Sequence, residues 1–500
     1  MSFKSRGAKP AAVIGAGPNG LAAAVTLARA GVPVTVFEAA ETIGGGTRTT
    51  ELVQPGVLHD VCSAIHPMAL ATGFFREFEL SSRMEFVVPE ASYANPLDGA
   101  AGGTPHGPGR AAIAYRDLQR TASELGRDGA AYARYYRPLL RRLSGVVDFA
   151  LGPTLLRMPR DLVATAITAV RTFEQGTALW GLRFQEQAAP SLMSGVAAHS
   201  IGRMPNLATA GVGVMLGALG HSSGWPVPVG GSRAITDALA ADLLAHGGEI
   251  RVDHAVDDVR ELEEFDVKLF DTSARGLVSI AGSVLPSKYR RALGRFVYGD
   301  GATKVDFVLD GPIPWADPRV SAAPTVHLGG SRAEGTAAEL EVSRGRHPER
   351  PYVLLAQPSE FDPARNPAGR NAVWSYTHVP KGSNVDVQER VIAQIERFAP
   401  GFRDRIVAVR QTTADQLSRY NRNYHGGDFS AGAVSLRQLL ARPTISMDPH
   451  RTPAPGIYLA SSSTPPGPGV HGLAGWYAAQ SALRHEYGLD APELGLRESR

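Results

Sequence analysis

Three glycines spaced as GxGxxG, Gly15, Gly17 and Gly20, carry the clearest chemistry in this chain. Gly15 permits a tight turn, Gly17 lets backbone approach a pyrophosphate, and Gly20 lets a helix pack on the strand before it. Pro18 and Asn19 complete the turn. Around it the required elements are in register. Ala11–Ile14 is a short apolar run suited to a buried parallel strand. Leu21–Ala30 continues as a helix and Gly31 supplies its stop. "VPVTVFE" is a second strand ending at Glu38. An acid there accepts hydrogen bonds from both ribose hydroxyls of an adenosine and repels a 2′-phosphate, so the ligand is FAD or NAD rather than NADP. A glycine-rich turn in an unrelated α/β fold would explain neither Glu38 nor its spacing.

A second group of residues favours the longer of those ligands. In "ETIGGGTRTTE" three glycines in a row, Gly44, Gly45 and Gly46, leave backbone free to lie against a ligand beside Thr47, and Arg48 offers a fork of donors to phosphate. A self-contained NAD domain needs no such loop directly after its second strand. Near the other end, "PGIYLASSS" reads as a strand and runs into "TPPGPGVHGLAGWYAA", with a helix expected from about Val470. This repeats strand, glycine turn and helix, with no acid after it. One ligand needing two helix N-termini accounts for both turns. The first faces a pyrophosphate; the second, with Ser461, Gly469, Val470, His471 and Gly472, faces a flavin that turns anionic on reduction. A purely structural terminal helix is the alternative. Between them, "PVPVGGSRAITDALAADLLAHGGEIRVDHAVDDV" reads as Gly-Gly turn, amphipathic helix, Gly-Gly stop and strand.

With these motifs in place, the chain resembles the phytoene desaturase-like branch of the FAD-dependent amine oxidase superfamily. Within it, the chain looks most like the pyridine nucleotide-disulfide oxidoreductase domain-containing proteins. Further residues carry the resemblance: "DVCSAIHP" from Asp60, "KVDFVLDGPIPW" from Lys304, "HLGGS" from His327, "THVPKGS" from Thr377, "APGFRDRI" from Ala399 and "YHGGD" from Tyr424. The resemblance implies an α/β fold: an FAD-binding Rossmann-like domain of the glutathione reductase/amine oxidase type with an inserted α+β substrate domain. It also implies that backbone near Val256 holds the adenine, and that the Gly44–Arg48 loop belongs to a one-Rossmann FAD enzyme. Two departures stand out. Ala460 and Ser461 occupy positions where many members have Gly-Asp or Gly-Ala. The lone Cys62 has no partner for disulfide chemistry.

The nucleotide domain is expected to be discontinuous, over 8–72, 224–301 and 445–489. Segments 73–223 and 302–444 would form the substrate domain, and 490–500 a tail. "DVKLFDTS" fits the parallel sheet. "ATKVDFVLD", "PYVLLAQP" and "NAVWSYTHV" fit a second sheet, and "DVQERVIAQIERFAPG" a helix. "NPLDGAAGGTPHGPG", Asn95–Gly109, reads as a surface loop. "GVGVMLG" at Gly211 lacks a preceding strand and a following acid, so it reads as buried helix rather than a second nucleotide turn.

Composition narrows the partners. The 500 residues carry a formal net charge of +3 with signs interspersed, which excludes a nucleic-acid surface. One cysteine excludes an internal disulfide and a thiolate-rich metal site, so no metal is expected. The N-terminus reads as too short for a presequence, and the longest apolar stretch, Leu207–Gly220, as too short to span a bilayer. The expected location is cytoplasmic. From Tyr135 to Thr172, arginines alternate with apolar blocks. A helical part of the substrate domain with solvated arginines is the favoured reading, and a face toward lipid, making the protein membrane-associated, is the other.

A flavin needs orientation, exclusion of water and stabilisation of its reduced ring, so the lack of a catalytic triad is no surprise. His66 and His471 are the candidates for an imidazole beside the ring, each equally readable as a hydrogen-bonded structural histidine. His199, His221, His378 and His425 rank below them. The expected reaction is hydride transfer from a hydrophobic isoprenoid-, carotenoid- or polyketide-like substrate to flavin N5, with oxygen or a quinone as electron acceptor. An amine oxidase, a flavin-dependent isomerase or cyclase, and a non-catalytic binder like the GDP dissociation inhibitors are the alternatives. No residue pattern selects an oligomeric state.

Overall fold

The computed structural model describes residues 9–99 and 109–496. Its first layer is a five-stranded parallel sheet in the order Ile457–Leu459, Val267–Phe270, Ala11–Ile14, Val34–Phe37, Glu249–Arg251. Three distant stretches of chain thus meet in one sheet, with the first strand at its centre. The apolar runs are buried on both faces, as a parallel sheet covered on both sides requires. On one face lies helix Pro18–Arg29, flanked by Arg233–Ala245 and Leu473–Ala482. On the other face Phe270, Leu277 and Val256 close a separate core cluster.

The first helix begins at Pro18, three residues before the sequence pattern suggested, because proline suits the opening turn of a helix. Two other elements are shorter than expected. The strand "EIRVDHAV" is regular only over Glu249–Arg251, since Asp253 takes a left-handed φ of 52° and turns the chain. The last helix starts at Leu473 instead of Val470. Gly469 and Gly472 have φ of 135° and 66°, so Val470 and His471 belong to the turn before it.

The second layer is a seven-stranded sheet in the order Ile406–Thr412, Gly301–Leu309, Asn371–Val379, Val353–Ala356, Thr325–Leu328, Ala91–Asn95, Ala112–Tyr115. It is antiparallel except where Thr325–Leu328 meets Ala91–Asn95. Helix Gln388–Glu396 packs its Val391, Ile392 and Ile395 against one face. A helical group, Gly129–Leu140, Leu143–Ala150, Leu162–Gln175, Ala188–Ala198 and Leu207–Gly220, packs on this sheet through Ala188–Ala198, which meets Ala91–Asn95, Ala112–Tyr115 and Thr325–Leu328. Leu207–Gly220 is a largely buried helix, as its composition indicated. Most of the Asn95–Gly109 loop lies outside the described residues.

The arginines of 135–172 are partly paired, Arg142 with Asp161 and Arg171 with Glu174. Large apolar side chains nearby face solvent. Met158 and Leu182 are 82% and 84% exposed. Thr154 donates to Ser446 O, which places the exposed Ile445 and Met447 beside the same region. No described helix is long and apolar enough to cross a membrane.

Candidate dinucleotide and substrate cavity

The crevice at the C-terminal edge of the parallel sheet is built by close backbone approach. Gly15 has φ of 106°, and a Cβ there would lie 2.9 Å from Asp271 O. A Cβ on Gly20 would lie 2.0 Å from Gly15 O, so no other residue lets the helix start there. Gly17 caps helix Pro18–Arg29 without a side chain of its own, and the first-turn Gly20 N–H is taken by Asp271 Oδ2 at 2.9 Å. Asn19 is buried, and its Oδ1 has no partner among the described residues.

Glu38 stands just past the second strand and is already oriented. Its Oε2 accepts from Ala16 N–H at 2.9 Å and its Oε1 from Ala40 N–H at 3.0 Å. Arg48 Nη2 pairs with Oε1 at 3.1 Å. Arg48 also donates to Thr42 O and to the Tyr420 hydroxyl. The glycine loop lies against the first turn: a Cβ on Gly45 would come 3.1 Å from Gly17 Cα. A Cβ on Gly46 would meet the Tyr424 hydroxyl at 2.9 Å, and Thr47 donates its hydroxyl to Gly44 O. On the opposite wall His254 N–H donates to Glu38 O, which carries the buried Val256 to the crevice.

The second glycine turn arrives at the same place. A Cβ on Gly475 would lie 1.7 Å from Asn19 O, so the last helix crosses the first turn of the first helix backbone on backbone. Gly469 and Gly472 have no room either: a Cβ would strike Met68 Cε at 2.1 Å and Phe74 at 2.4 Å. Ser461 is buried and organises the turn entry, its Oγ accepting from Ser463 N–H and its carbonyl accepting from the Thr464 hydroxyl.

One cavity of about 1330 Å³ joins these parts. Of the residues singled out from sequence, Gly15, Gly17, Pro18, Asn19, Glu38 and Gly45–Arg48 line it. So do His66, Val256, Ser461, Gly469 and Val470. Gly20, His471 and Gly472 do not line it; they shape the two helix starts behind the wall. His471 is buried with both ring nitrogens engaged, Nε2 donating to Gly467 O at 3.1 Å and Nδ1 accepting from Leu473 N–H at 3.0 Å. Burial pushes it down to about 4. His66 Nε2 donates to Ser232 Oγ at 2.7 Å, since that hydroxyl itself donates to Ser63 O. Burial pushes His66 down to about 4 as well, against the attraction of Asp60.

Several residues that shape the site were not singled out from sequence. Asp271 ends the strand Val267–Phe270 and its Oδ2 accepts from Gly20 N–H at 2.9 Å. Burial, aided by the charge of Glu38, raises its pKa well above the usual carboxylate range despite that hydrogen bond. The signal was its position at the C-terminal end of a strand next to the central one, where such sheets bind ligands. Asp60 pairs with the fully buried Arg365 at 2.8 Å, and Arg365 also pairs with Asp362 at 3.0 Å. This network ties the loop carrying His66 to the second layer. Lys304 donates to Asp60 O and Val61 O and pairs with Asp306 at 3.0 Å. Beyond the loop the cavity continues into an apolar chamber walled by Met215, Leu216, Trp225, Trp374, Tyr376 and Phe429. Its acidic lining residues, Glu38, Asp257 and Asp271, all belong to the dinucleotide end.

Comparison with known proteins agrees with this architecture. Residues 13–78 match the model of the NAD(P)-binding Rossmann-like domain. Over 95% of its length, and 93% of the relative's, the chain is 27% identical to the rat (Rattus norvegicus) pyridine nucleotide-disulfide oxidoreductase domain-containing protein 2. It is 23% identical to the neurosporene-forming phytoene desaturase of Rhodobacter capsulatus, over 95% of this chain and 94% of that one. Among solved structures, an oxidoreductase from Methanosarcina mazei superposes with TM-score 0.61 at 15% identity, covering 95% of this chain and 100% of that one. Putrescine oxidase bound to putrescine gives 0.56 at 15%, with 95% and 99% covered. A RAB GDI from Plasmodium falciparum gives 0.52 at 10%, with 96% and 98% covered. The fold is therefore a mixed α/β one with a Rossmann-like domain, shared with putrescine oxidase.

Proposed function

We propose that this chain is an FAD-dependent oxidoreductase that dehydrogenates or desaturates an apolar substrate, isoprenoid-, carotenoid- or polyketide-like, by hydride transfer to flavin N5. The observation that carries the reading is the single cavity running from the dinucleotide crevice into an apolar chamber. Its volume exceeds the few hundred to about 1,000 Å³ of an ordinary small-molecule site, as a cofactor and a substrate sharing one space require.

The residues fit the cofactor. Unpartnered Asn19 Oδ1, a helix start whose Gly17 brings no side chain, and glycines with no room for a Cβ together form a cradle for a dinucleotide. Glu38 would hold the ribose, the Gly17–Asn19 turn and Arg48 the pyrophosphate, and backbone at Val256 the adenine. Gly45, Gly46, Ser461 and the Gly469–Val470 turn would hold the flavin end. A bound flavin supplies a two-electron acceptor. The chain supplies position, a dry chamber and a helix start that favours a reduced, negatively charged ring. Strands from 8–72, 224–301 and 445–489 share the parallel sheet, which supports the discontinuous cofactor domain, with 73–223 and 302–444 as substrate domain and 490–500 as tail. Oxygen or a quinone would reoxidise the flavin. We place the protein in the cytoplasm, with the exposed apolar residues around Met158 available to a membrane surface.

A flavin amine oxidase is the second reading. The edge-to-face Trp374–Tyr376 pair, 5.2 Å between centroids, favours it. The chamber's lack of an acidic lining residue disfavours a cationic substrate. An intact glycine turn with Glu38 argues against a flavin-free binder. The test begins with colour: purified protein should be yellow and release flavin on denaturation. Anaerobic mixing with lipidic, isoprenoid and amine compounds should bleach the flavin only with substrates of the first two classes. Bleaching by amines alone selects the second reading, and colourless protein that cannot be reconstituted overturns both. Activity that needs dithionite but consumes no acceptor would select an isomerase or cyclase.

A further inference from the structure

We infer that His199 Nδ1 is the proton acceptor of the substrate chamber, with His327 and Asn95 as positioning residues that fix its tautomer. The inference rests on the flavin-oxidoreductase reading for its chemistry, but its geometry stands alone. His199 follows helix Ala188–Ala198 and lines the cavity, edge-to-face with Trp225 at 5.2 Å. Its Nε2 lies 2.8 Å from His327 Nε2. Neutral rings place one proton between those nitrogens, and Asn95 decides whose it is. Asn95 Nδ2 donates to Ser191 O at 3.0 Å, which turns Oδ1 toward His327 Nδ1 at 3.1 Å. The opposite amide orientation would set two carbonyl oxygens against each other. His327 Nδ1 is therefore the N–H, His327 Nε2 the acceptor, and His199 Nε2 the donor. His199 Nδ1 is left with a bare lone pair. It has no partner among the described residues and is not sealed from solvent. The pair is tightly built: a Cβ on Gly195 would lie 2.7 Å from Asn95 Nδ2 and 2.8 Å from His327 Nδ1.

The other cavity histidines are placed differently. His66 sits on Ser232, and His425 Nε2 is 2.9 Å from Ser273 Oγ beside the dinucleotide crevice. His199 lines the cavity against Trp225, a wall residue of the apolar chamber. Burial holds it down to about 3 and holds His327 well below the ordinary range, so both rings stay neutral at physiological pH. A weak base suffices for the step proposed. The substrate gives up one hydride to the oxidised flavin, leaving a cationic carbon. The C–H on the neighbouring carbon then breaks, its electron pair becomes the new π bond, and the proton goes to His199 Nδ1. The resulting imidazolium keeps its Nε2–H on His327. A proton beside a cationic carbon is acidic enough to pass to so weak a base.

The test is the ring-nitrogen spectrum of ¹⁵N-histidine-labelled holoenzyme, with the His199 signals identified by their loss in His199→Gln. A protonated Nε2 and a bare Nδ1, constant between about pH 6 and 8, are expected. A protonated Nδ1 overturns the assignment whether or not the protein is yellow, and colourless protein sinks the parent reading without touching the tautomer. Asn95→Leu should give a mixture of tautomers and Asn95→Asp should keep one; an unchanged His199 in Asn95→Leu overturns the positioning role. If Asn95→Leu fails to fold, the wild-type spectrum still decides. With any compound that bleaches wild-type flavin, His199→Gln should form the desaturated product about 100-fold more slowly or worse at equal flavin content. An unchanged rate overturns the catalytic role.

Discussion

Asp271 gives the sharpest prediction, because its carboxyl occupies the helix start that a pyrophosphate would need. Its Oδ2 accepts from Gly20 N–H, and the Cβ position of Gly17 is 2.8 Å from the same atom. Asp271→Asn keeps the size and an acceptor oxygen but removes the charge. The sign follows from linkage. The folded pKa is raised above the unfolded value of about 3.9, so from about pH 4 upward the unfolded chain has lost a proton that the folded one keeps. Apo-protein stability should then fall as pH rises, by about 1.4 kcal/mol per unit, until the folded pKa is passed, and stay level beyond it. For a chain of this length 1 kcal/mol is about 1 °C in Tm, so the gap between variant and wild type should widen by 1–2 °C per pH unit. Cofactor affinity should follow the same group. Docking a pyrophosphate beside Asp271 demands that it be neutral, so the wild-type Kd for FAD should weaken up to about tenfold per unit above the apo pKa. In Asp271→Asn the Kd should be flatter with pH and, above the folded pKa of the wild-type carboxyl, about 5- to 30-fold tighter, from about 1–2 kcal/mol of relieved repulsion. Glu38, Arg48, His254, Arg275 and His425 face the same crevice, so the comparison is always variant against wild type. Thermal scans of the apo-protein and FAD fluorescence titrations from pH 5 to 9 measure both. Parallel pH curves for the two proteins would refute the reasoning.

Other consequences are equally direct. Gly475→Ala should abolish soluble flavin-loaded protein, since its Cβ would lie 1.7 Å from Asn19 O and force two backbones apart, whereas Gly294→Ala, with nothing within 4 Å, should leave Tm and flavin absorbance unchanged. Arg365→Leu leaves Asp60 and Asp362 buried without their cation and should cost about 3–5 kcal/mol in denaturant unfolding. Burial alone would raise Asp60, but Arg365, Thr49 and the Ser232 N–H together hold it below the usual range. Its stabilisation should therefore be present above about pH 4 and disappear on acidification through its folded pKa, seen as a steeper acid limb in wild type than in Asp60→Asn. If the exposed apolar residues meet lipid, the protein should float with anionic vesicles, and Met158→Ser with Leu182→Ser should weaken flotation several-fold; equal flotation would assign that face to solvent.

What the sequence disclosed was local. A GxGxxG turn, an acid one strand later and a proline-glycine turn before a helix each lie within a few dozen residues, and each fixes its own backbone geometry. Where local rules erred, a positive φ was the cause: Asp253 cut short the strand after Arg251, and Gly469 with Gly472 delayed the last helix to Leu473. The hidden part was non-local. His199 and His327 are 128 residues apart and Asp271 is 251 from Gly20, so no window of sequence shows either contact. His471 read equally as an imidazole beside the ring and as a hydrogen-bonded structural histidine, and the turn uses both of its nitrogens.

The same distinction explains why the two glycine turns resemble each other without being equivalent. At the first, Gly15 and Gly20 remove side chains so that the strand end, the helix start and Asp271 can close on one another, and Gly17 contributes no capping side chain of its own. At the second, Gly469, Gly472 and Gly475 remove side chains so that backbone can approach the rest of the protein: Met68, Phe74 and Asn19 O. The second turn is thus fitted onto the first, and the position of Val470 in the cavity follows from a helix–helix crossing. A dinucleotide alone would need only the first arrangement. Building the second against it makes sense when one ligand is long enough to be gripped at both places, and when its far end must face a chamber dry enough for hydride chemistry.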